Sequence, residues 1–401
     1  MAQQHSLYDC IILGIGSMGA SACYHLAARG LNVLGIEQFD VLHTQGAHSG
    51  HTRIIRKAYF EHPDYIPLLQ RAYANWTKLE AICGEKIYYP TGLLYAAPKG
   101  DPLIEQVKAS AALYAIPLEV LTPADCLVRY PQFRIPDDFE VLIEPEAGFL
   151  DVGKAITQYT RAAVQAGAEI QTGEKVLDWN QQEGIVTVQT DKGNYTAKKL
   201  VITAGPWSAD LIPGIKEKLT ITRQVLSWVQ PESPEQFSTD TFPCWMIVKP
   251  GVPGSYYGFP AMRPGEVGGP AGIKLALHHP GQPTTAVTID RTIHPEDLDH
   301  LLSFAHDYLP GAGNLITDTA TCMYSNSPDE HFIIDHLSGT DKQVTVAWGF
   351  SGHGFKFVSV VGEVIADFVV AGRTQLEVGF LSADRLGEKQ EARIEKGNSP
   401  S

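Results

Sequence analysis

Apolar residues near the start of the chain fall into short unbroken runs separated by stretches with helical spacing. Residues 9–13 (DCIIL) form such a run ending at glycine, which predicts a strand buried on both faces, as in a parallel sheet. Residues 17–29 follow as a helix, with small residues and Leu26 on its apolar side and Gly30 as the residue that ends it. Residues 33–36 give a second buried strand that closes at Glu37. This βαβ opening predicts an α/β fold (α+β overall) with a doubly wound, Rossmann-like dinucleotide domain.

The middle of the chain is patterned differently. Over 87–140 and 219–316, Pro, Gly, Tyr and Trp are frequent and strand-like runs predominate, among them 86–95, 224–230, 255–259 and 272–278. Between these stretches, 151–169 reads as a helix and 200–204 (LVITA) as another buried strand. After Ala320 the pattern returns to an apolar strand, 344–348, and an amphipathic helix, 358–370, ended by Ala371 and Gly372. The expected organisation is a discontinuous dinucleotide-binding domain (1–86, 147–218 and 318–388) holding an inserted β-rich substrate domain (87–146 and 219–317). A polar tail, 389–401, completes the chain.

Composition narrows the function. The 401 residues are enough for two or three folding units, and 44% hydrophobic with 19% charged residues is ordinary for a globular protein. A net charge of −14 argues against nucleic acid and against anionic membrane as partners, since both need clustered positive charge. No apolar run approaches the ~18–20 residues that span a bilayer, and residues 1–8 lack a signal-peptide core. The six cysteines are scattered with no CxxC pair, which speaks against zinc or a disulfide scaffold. A reduced cytoplasmic protein without a metal is expected.

Residues 14–19 (GIGSMG) sit between the first strand and helix. Gly14 permits the tight turn, Gly16 lets backbone approach a pyrophosphate, and Gly19 allows close helix–sheet packing. The helix N-terminus offers free N–H groups to phosphate. Glu37, 18 residues beyond Gly19, ends the second strand where a carboxylate can hold ribose hydroxyls. The motif predicts a dinucleotide but does not choose between NAD and FAD.

Four further segments narrow that choice: 46–59 (GAHSGHTRIIRKAY), 321–324 (TCMY), 329–335 (DEHFIID) and 349–357 (GFSGHGFKF). Together they resemble the monomeric sarcosine oxidase and N-methyltryptophan oxidase family, and 201–208 (VITAGPWS) is similar to the second flavin-domain signature of the wider amine and D-amino-acid oxidase group. The likeness runs through the chain in the same order. It implies FAD, covalently attached as an 8α-S-cysteinyl thioether at Cys322, in a chain that is mostly monomeric among these relatives. It also implies oxidation of an N-methyl or other secondary amino acid, with dioxygen reduced to hydrogen peroxide. A dehydrogenase using another electron acceptor, or an oxidase of glycated or cyclic amino acids such as pipecolate, remains open.

The resemblance assigns Arg56 and Lys356 to the substrate carboxylate and Arg53 to the catalytic face of the flavin. It sets Lys274 over the flavin for the reaction with oxygen, and has His278, Tyr257, Tyr324 and Met246 line the substrate pocket. Cofactor contacts are implied for Gly14, Gly16, Ser17, Met18, Gly19, Glu37, Gln38, Ser49, Thr52, Arg53, Val176, Gly205, Trp207, Cys322, Phe350, Gly352, His353, Gly354, Phe355 and Lys356. Ser49 departs from the family, standing where those relatives usually carry the second of two adjacent histidines.

The same residues also have plainer readings. Cys322 alone is a small buried hydrophobe. If TRIIR is helical, Arg53 and Arg56 share one face and are either solvated or ion-paired. A strand over 272–278 puts Lys274, Ala276 and His278 on one side and Ile273, Leu275 and Leu277 toward a core; the polar side faces either solvent or a site. Lys356, flanked by aromatic residues before the last helix, is a surface lysine unless it meets an anion.

Overall fold

The computed structural model describes residues 7–387 except 263, 264, 266 and 280. The tail expected over 389–401 lies outside the described residues. Contacts divide the chain into two units, one of 1–47, 156–221 and 324–401, the other of 48–155 and 222–323. Relative to the expected boundaries, 48–86, 147–155 and 318–323 fall in the second unit.

The first unit is built on an eight-stranded sheet. Tyr8–Leu13 lies parallel between Asn194–Ile202 and Val33–Ile36, with Glu169–Gln171 beyond Val33–Ile36. Val344–Trp348 pairs parallel with Asn194–Ile202. Tyr8–Leu13, Val33–Ile36 and Val344–Trp348 are almost wholly buried, as their unbroken apolar runs require. Helices Ser17–Ala27 and Val358–Ala371 meet so closely that a Cβ on Gly362 would lie 2.2 Å from the Ser21 hydroxyl.

The first helix stops at Ala27, two residues short of the expected end, and Gly30 (φ +82°) then turns the chain by donating to the Ala27 carbonyl. The helix expected over 151–169 is Val152–Gln165. Asp151 closes the preceding strand and its carboxylate accepts the Lys154 N–H, while Gly167 (φ +101°) breaks the helix before Glu169 opens the next strand.

The second unit carries a nine-stranded sheet and a three-stranded one. The strand expected over 86–95 is two strands, Tyr88–Tyr89 and Leu93–Pro98, in different sheets. Three helices went unread in the β-like middle: Pro102–Tyr114, Pro123–Arg129 and Pro295–Tyr308. Each starts with proline, which suits a first helical turn, where the N–H has no partner to lose.

Strands Thr220–Gln230, Cys244–Ile247, Ser255–Phe259 and Ile273–His278 decide what the large sheet presents. On one face Ile273, Leu275, Trp245, Ile247 and Tyr256 join a core with Phe304 of helix Pro295–Tyr308, whose ring stacks on Trp245 (5.4 Å) and Tyr256 (4.0 Å). On the other face the cross-strand rows are Trp228–Lys274–Phe259 and Leu226–Ala276–Tyr257–Met246. The period of two therefore separates an apolar core from a face that carries a lysine.

Candidate active site

In the first unit the glycine loop is shaped for a ligand rather than for a side chain. Gly14 holds φ +87°, and a Cβ there would lie 2.8 Å from the Thr203 carbonyl; one on Gly19 would strike the Gly14 carbonyl at 1.9 Å. The helix that begins at Ser17 and Met18 follows Gly16 with no side-chain cap and no acidic residue in its first turn, so its opening amides stay available to an anion. Glu37 is buried and accepts the N–H of Ile15 (2.9 Å) and Phe39 (3.0 Å), with the Gln38 amide directed at it as well. Burial raises its carboxyl above the usual range, against those hydrogen bonds. The Glu37 carbonyl takes the Glu174 N–H, which brings the start of Val176–Gln182 alongside. Gly205 and Trp207 form a 3-10 turn, with the Trp207 ring 5.5 Å from Phe39.

The loop 349–357 is also held in this unit. Gly352 (φ +76°) lies against the Tyr324 ring, where a Cβ would come within 2.5 Å, and Gly354 lies against Phe350. Phe355, Lys356 and Phe357 form the turn before helix Val358–Ala371. Lys356 is 5% exposed, and its ammonium donates to the His353 carbonyl at 2.7 Å.

In the second unit TRIIR is not helical. Thr52–Ile55 is a strand paired with Gly148–Asp151, so Arg53 and Arg56 do not share a helical face. Arg53 donates to the carbonyls of Thr52 and Ser49 and lies 3.6 Å from the Cys322 sulfur. Ser49 donates to the Thr321 carbonyl, tying the loop to the strand Leu315–Asn326. Cys322 is buried among Leu226, Trp228 and Ala276, with Tyr257 packed beside them. His278 ends its strand half-buried, paired with Ser255.

Lys274 is 2% exposed and donates to the carbonyls of Gly50 (2.6 Å) and Thr52 (2.9 Å) and to the Thr52 hydroxyl (3.3 Å), with Phe259 and Trp228 around its ammonium. All of these partners are uncharged. Burial, reinforced by Arg53, holds its pKa well below that of an ordinary lysine. Arg56 is equally buried, and here an expectation changes: its anionic partner is Glu61, both of whose oxygens lie 2.7 Å from one guanidinium nitrogen. The guanidinium also stacks on Tyr59 and Phe60 and donates to the Ala58 carbonyl. Burial works against this charge, but Glu61 outweighs it and the Arg56 pKa is raised. Sequence reasoning missed Glu61, Trp228, Phe259 and His51. Only the alternation of the 224–230 run carried a signal, for Trp228.

The dinucleotide loop of the first unit defines a dinucleotide-binding protein. The family described as FAD dependent oxidoreductase matches residues 9–368, and the chain belongs to it. It is 36% identical to monomeric sarcosine oxidase of Bacillus sp. (strain NS-129), over 96% of this chain and 98% of that protein. It is 35% identical to N-methyl-L-tryptophan oxidase of Yersinia pestis (strain Pestoides F), over 94% and 99%. Among solved structures, NikD, an unusual amino acid oxidase essential for nikkomycin biosynthesis, superposes with a TM-score of 0.82 at 23% identity, covering 94% of this chain and 98% of that one. L-proline dehydrogenase from P. horikoshii gives 0.83 at 21%, over 96% and 99%. At those identities the likeness to the solved structures is one of fold. The glycine cradle, the uncapped helix start and the buried Glu37 fit FAD. Among the described residues no group of side chains could hold a metal ion, and no helix is long and apolar enough to cross a membrane.

Proposed function

We propose that the chain is an oxidase of N-methyl or other secondary amino acids, working as a monomer. It converts the C–N bond to an imine that water hydrolyses, while dioxygen becomes hydrogen peroxide. One observation carries this reading: Lys274, a buried cation whose hydrogen bonds all go to uncharged oxygens, on the same face as Cys322. A positive charge in so dry a place favours negative charge developing on dioxygen. The relatives named sarcosine oxidase and N-methyl-L-tryptophan oxidase, matched over nearly the whole chain, support the substrate class.

FAD supplies the acceptor for two electrons from the amine and the means of returning them to dioxygen. Gly14, Gly16, Ser17, Met18, Gly19, Glu37, Gln38 and Val176 would hold its dinucleotide portion, with Gly205 and Trp207 nearby in the chain's first unit. Ser49, Thr52, Arg53 and Cys322 in the second unit, and the loop from Phe350 to Lys356 in the first, would serve the flavin. Cys322 is the proposed point of attachment, and the Arg53 guanidinium lies 3.6 Å from its sulfur.

Arg56 is proposed to bind the substrate carboxylate, which must displace Glu61, an exchange of one carboxylate for another on the same fork. Lys356 is proposed as a second carboxylate ligand. Tyr257, Met246, His278 and Tyr324 would bound the substrate. Arg53 and Lys274 disfavour a protonated amine near them, so the substrate nitrogen is held in the uncharged form that oxidation needs.

A screen of peroxide release across N-methylated amino acids of graded side-chain size tests the reaction: release with at least one is expected, and release with none overturns it. Acid-denatured protein should keep its flavin, whereas a Cys322→Ser variant should lose it to the supernatant. Flavin still bound covalently in that variant would exclude Cys322.

A further inference from the structure

His51 has no part in the reading above, yet its setting is costly. It holds φ +62°, a left-handed conformation that is strained for a residue bearing a Cβ, next to Gly50 at φ +101°. Lys274 holds this turn, because the two carbonyls it binds belong to Gly50 and Thr52, on either side of His51. The His51 carbonyl accepts the Val152 N–H at 2.8 Å. Its imidazole lies edge-on to Trp228 at 5.9 Å, and Trp228 also borders the Lys274 ammonium at 5.7 Å. Gly269 makes room for the ring, since a Cβ there would come within 2.8 Å of its Cγ. Among the described residues no side chain hydrogen-bonds the imidazole, which is partly open to solvent. The charged groups that face it are Lys274 and Arg53, which with burial lower its pKa, and Asp151 and Asp318, which oppose them.

We propose that His51 and Lys274 form a coupled ionisable pair, in which His51 is the solvent-facing member that supplies the proton accompanying reduction of dioxygen. The inference rests on reading Lys274 as the cation that dioxygen meets. In that reaction the amine C–H yields a hydride equivalent and the amine N–H a proton, and the C–N bond becomes C=N. Dioxygen gains two electrons and two protons and leaves as hydrogen peroxide. The hydride equivalent provides the two electrons and one of the protons. The other comes from the protein, and the proton released by the amine to solvent restores it. Two like charges that border the same Trp228 ring do not titrate independently: a proton on one member lowers the affinity of the other. A buried ammonium alone has no such exchange with solvent, whereas a partly exposed imidazole does.

The test uses His51→Gly in the flavin-loaded enzyme, glycine being the residue that this backbone conformation favours. Anaerobic reduction by substrate should keep the wild-type rate. Reoxidation by dioxygen should slow about tenfold or more, lose its lower pH inflection, and recover with added imidazole. Wild-type reoxidation with an unchanged pH profile overturns the proposal. A second readout is independent of turnover: in NMR of the oxidised enzyme, Lys274→Met should raise the His51 titration midpoint, and an unmoved midpoint overturns the coupling. If Lys274→Met reoxidises at the wild-type rate, the underlying reading of Lys274 falls and the proposal with it. If Lys274→Met is slow but His51→Gly is normal, the His51 inference alone falls.

Discussion

The two faces of the large sheet are made by the same strands and are about equally dry, yet they do opposite things. Ile273 and Leu275 are fully buried against stacked aromatic rings, while Lys274, between them, is 2% exposed and meets backbone carbonyls and aromatic faces instead. One face gains stability from burial. The other buries a lysine amine that no carboxylate among the described residues accompanies, and its pKa is lowered accordingly. Burying a cation among uncharged groups is destabilising, so such a residue persists where it serves chemistry. Burial alone therefore does not separate core from site; what the buried atom meets does.

The largest effect should come from erasing the difference. Lys274→Met makes both faces apolar: oxidase turnover should fall ~10²–10³-fold while the folded protein becomes more stable, as measured by peroxide release and thermal melts. Wild-type turnover in that variant would make the two faces equivalent. The converse change, Leu275→Ala, should cost ~2–5 kcal/mol in denaturant unfolding and leave turnover per folded molecule near wild type.

A third effect depends on pH. The folded-state pKa of Lys274 is depressed, so the unfolded chain binds more protons between that value and the ordinary lysine pKa, and wild-type stability rises with pH across that window. The advantage of Lys274→Met should shrink as pH climbs through it; an advantage independent of pH would mean that the Lys274 pKa is not depressed in the fold. The smallest effect concerns Arg56. Glu61→Gln removes the competing carboxylate and should tighten binding of a carboxylate inhibitor by on the order of 1 kcal/mol, about fivefold. Weaker binding would show that Glu61 holds Arg56 ready rather than occupied.

What the sequence disclosed was local in origin. The glycine turn, its flanking strands and Glu37 are readable because their chemistry is complete within some thirty residues. The alternation over 272–278 put Ile273 and Leu275 in the core, as found. The same alternation left the Lys274 side undecided, because its cover comes from Gly50 and Thr52, more than 200 residues earlier. TRIIR gave the wrong local structure for the same reason: Thr52–Ile55 is a strand by virtue of its partner Gly148–Asp151, which nothing in the pentapeptide announces. The missed helices are a different failure. Asp101 and Thr122 cap two of them, Thr122 with Asp125 in a full capping box, so start signals were present. The prolines counted only toward the composition of the strand-rich middle, not as first helical residues.

The order of strands in the first unit bears on how the chain comes to be folded. Tyr8–Leu13 precedes its neighbour Asn194–Ile202 by almost two hundred residues, and Val344–Trp348 joins the sheet later still. Until then the nascent sheet presents open parallel edges, and the entropy of closing such long loops must be met before the contacts repay it. Pairings of such long range slow folding, and shortening the chain before residue 344 removes the strand that joins Ile333–His336 to the rest of the sheet.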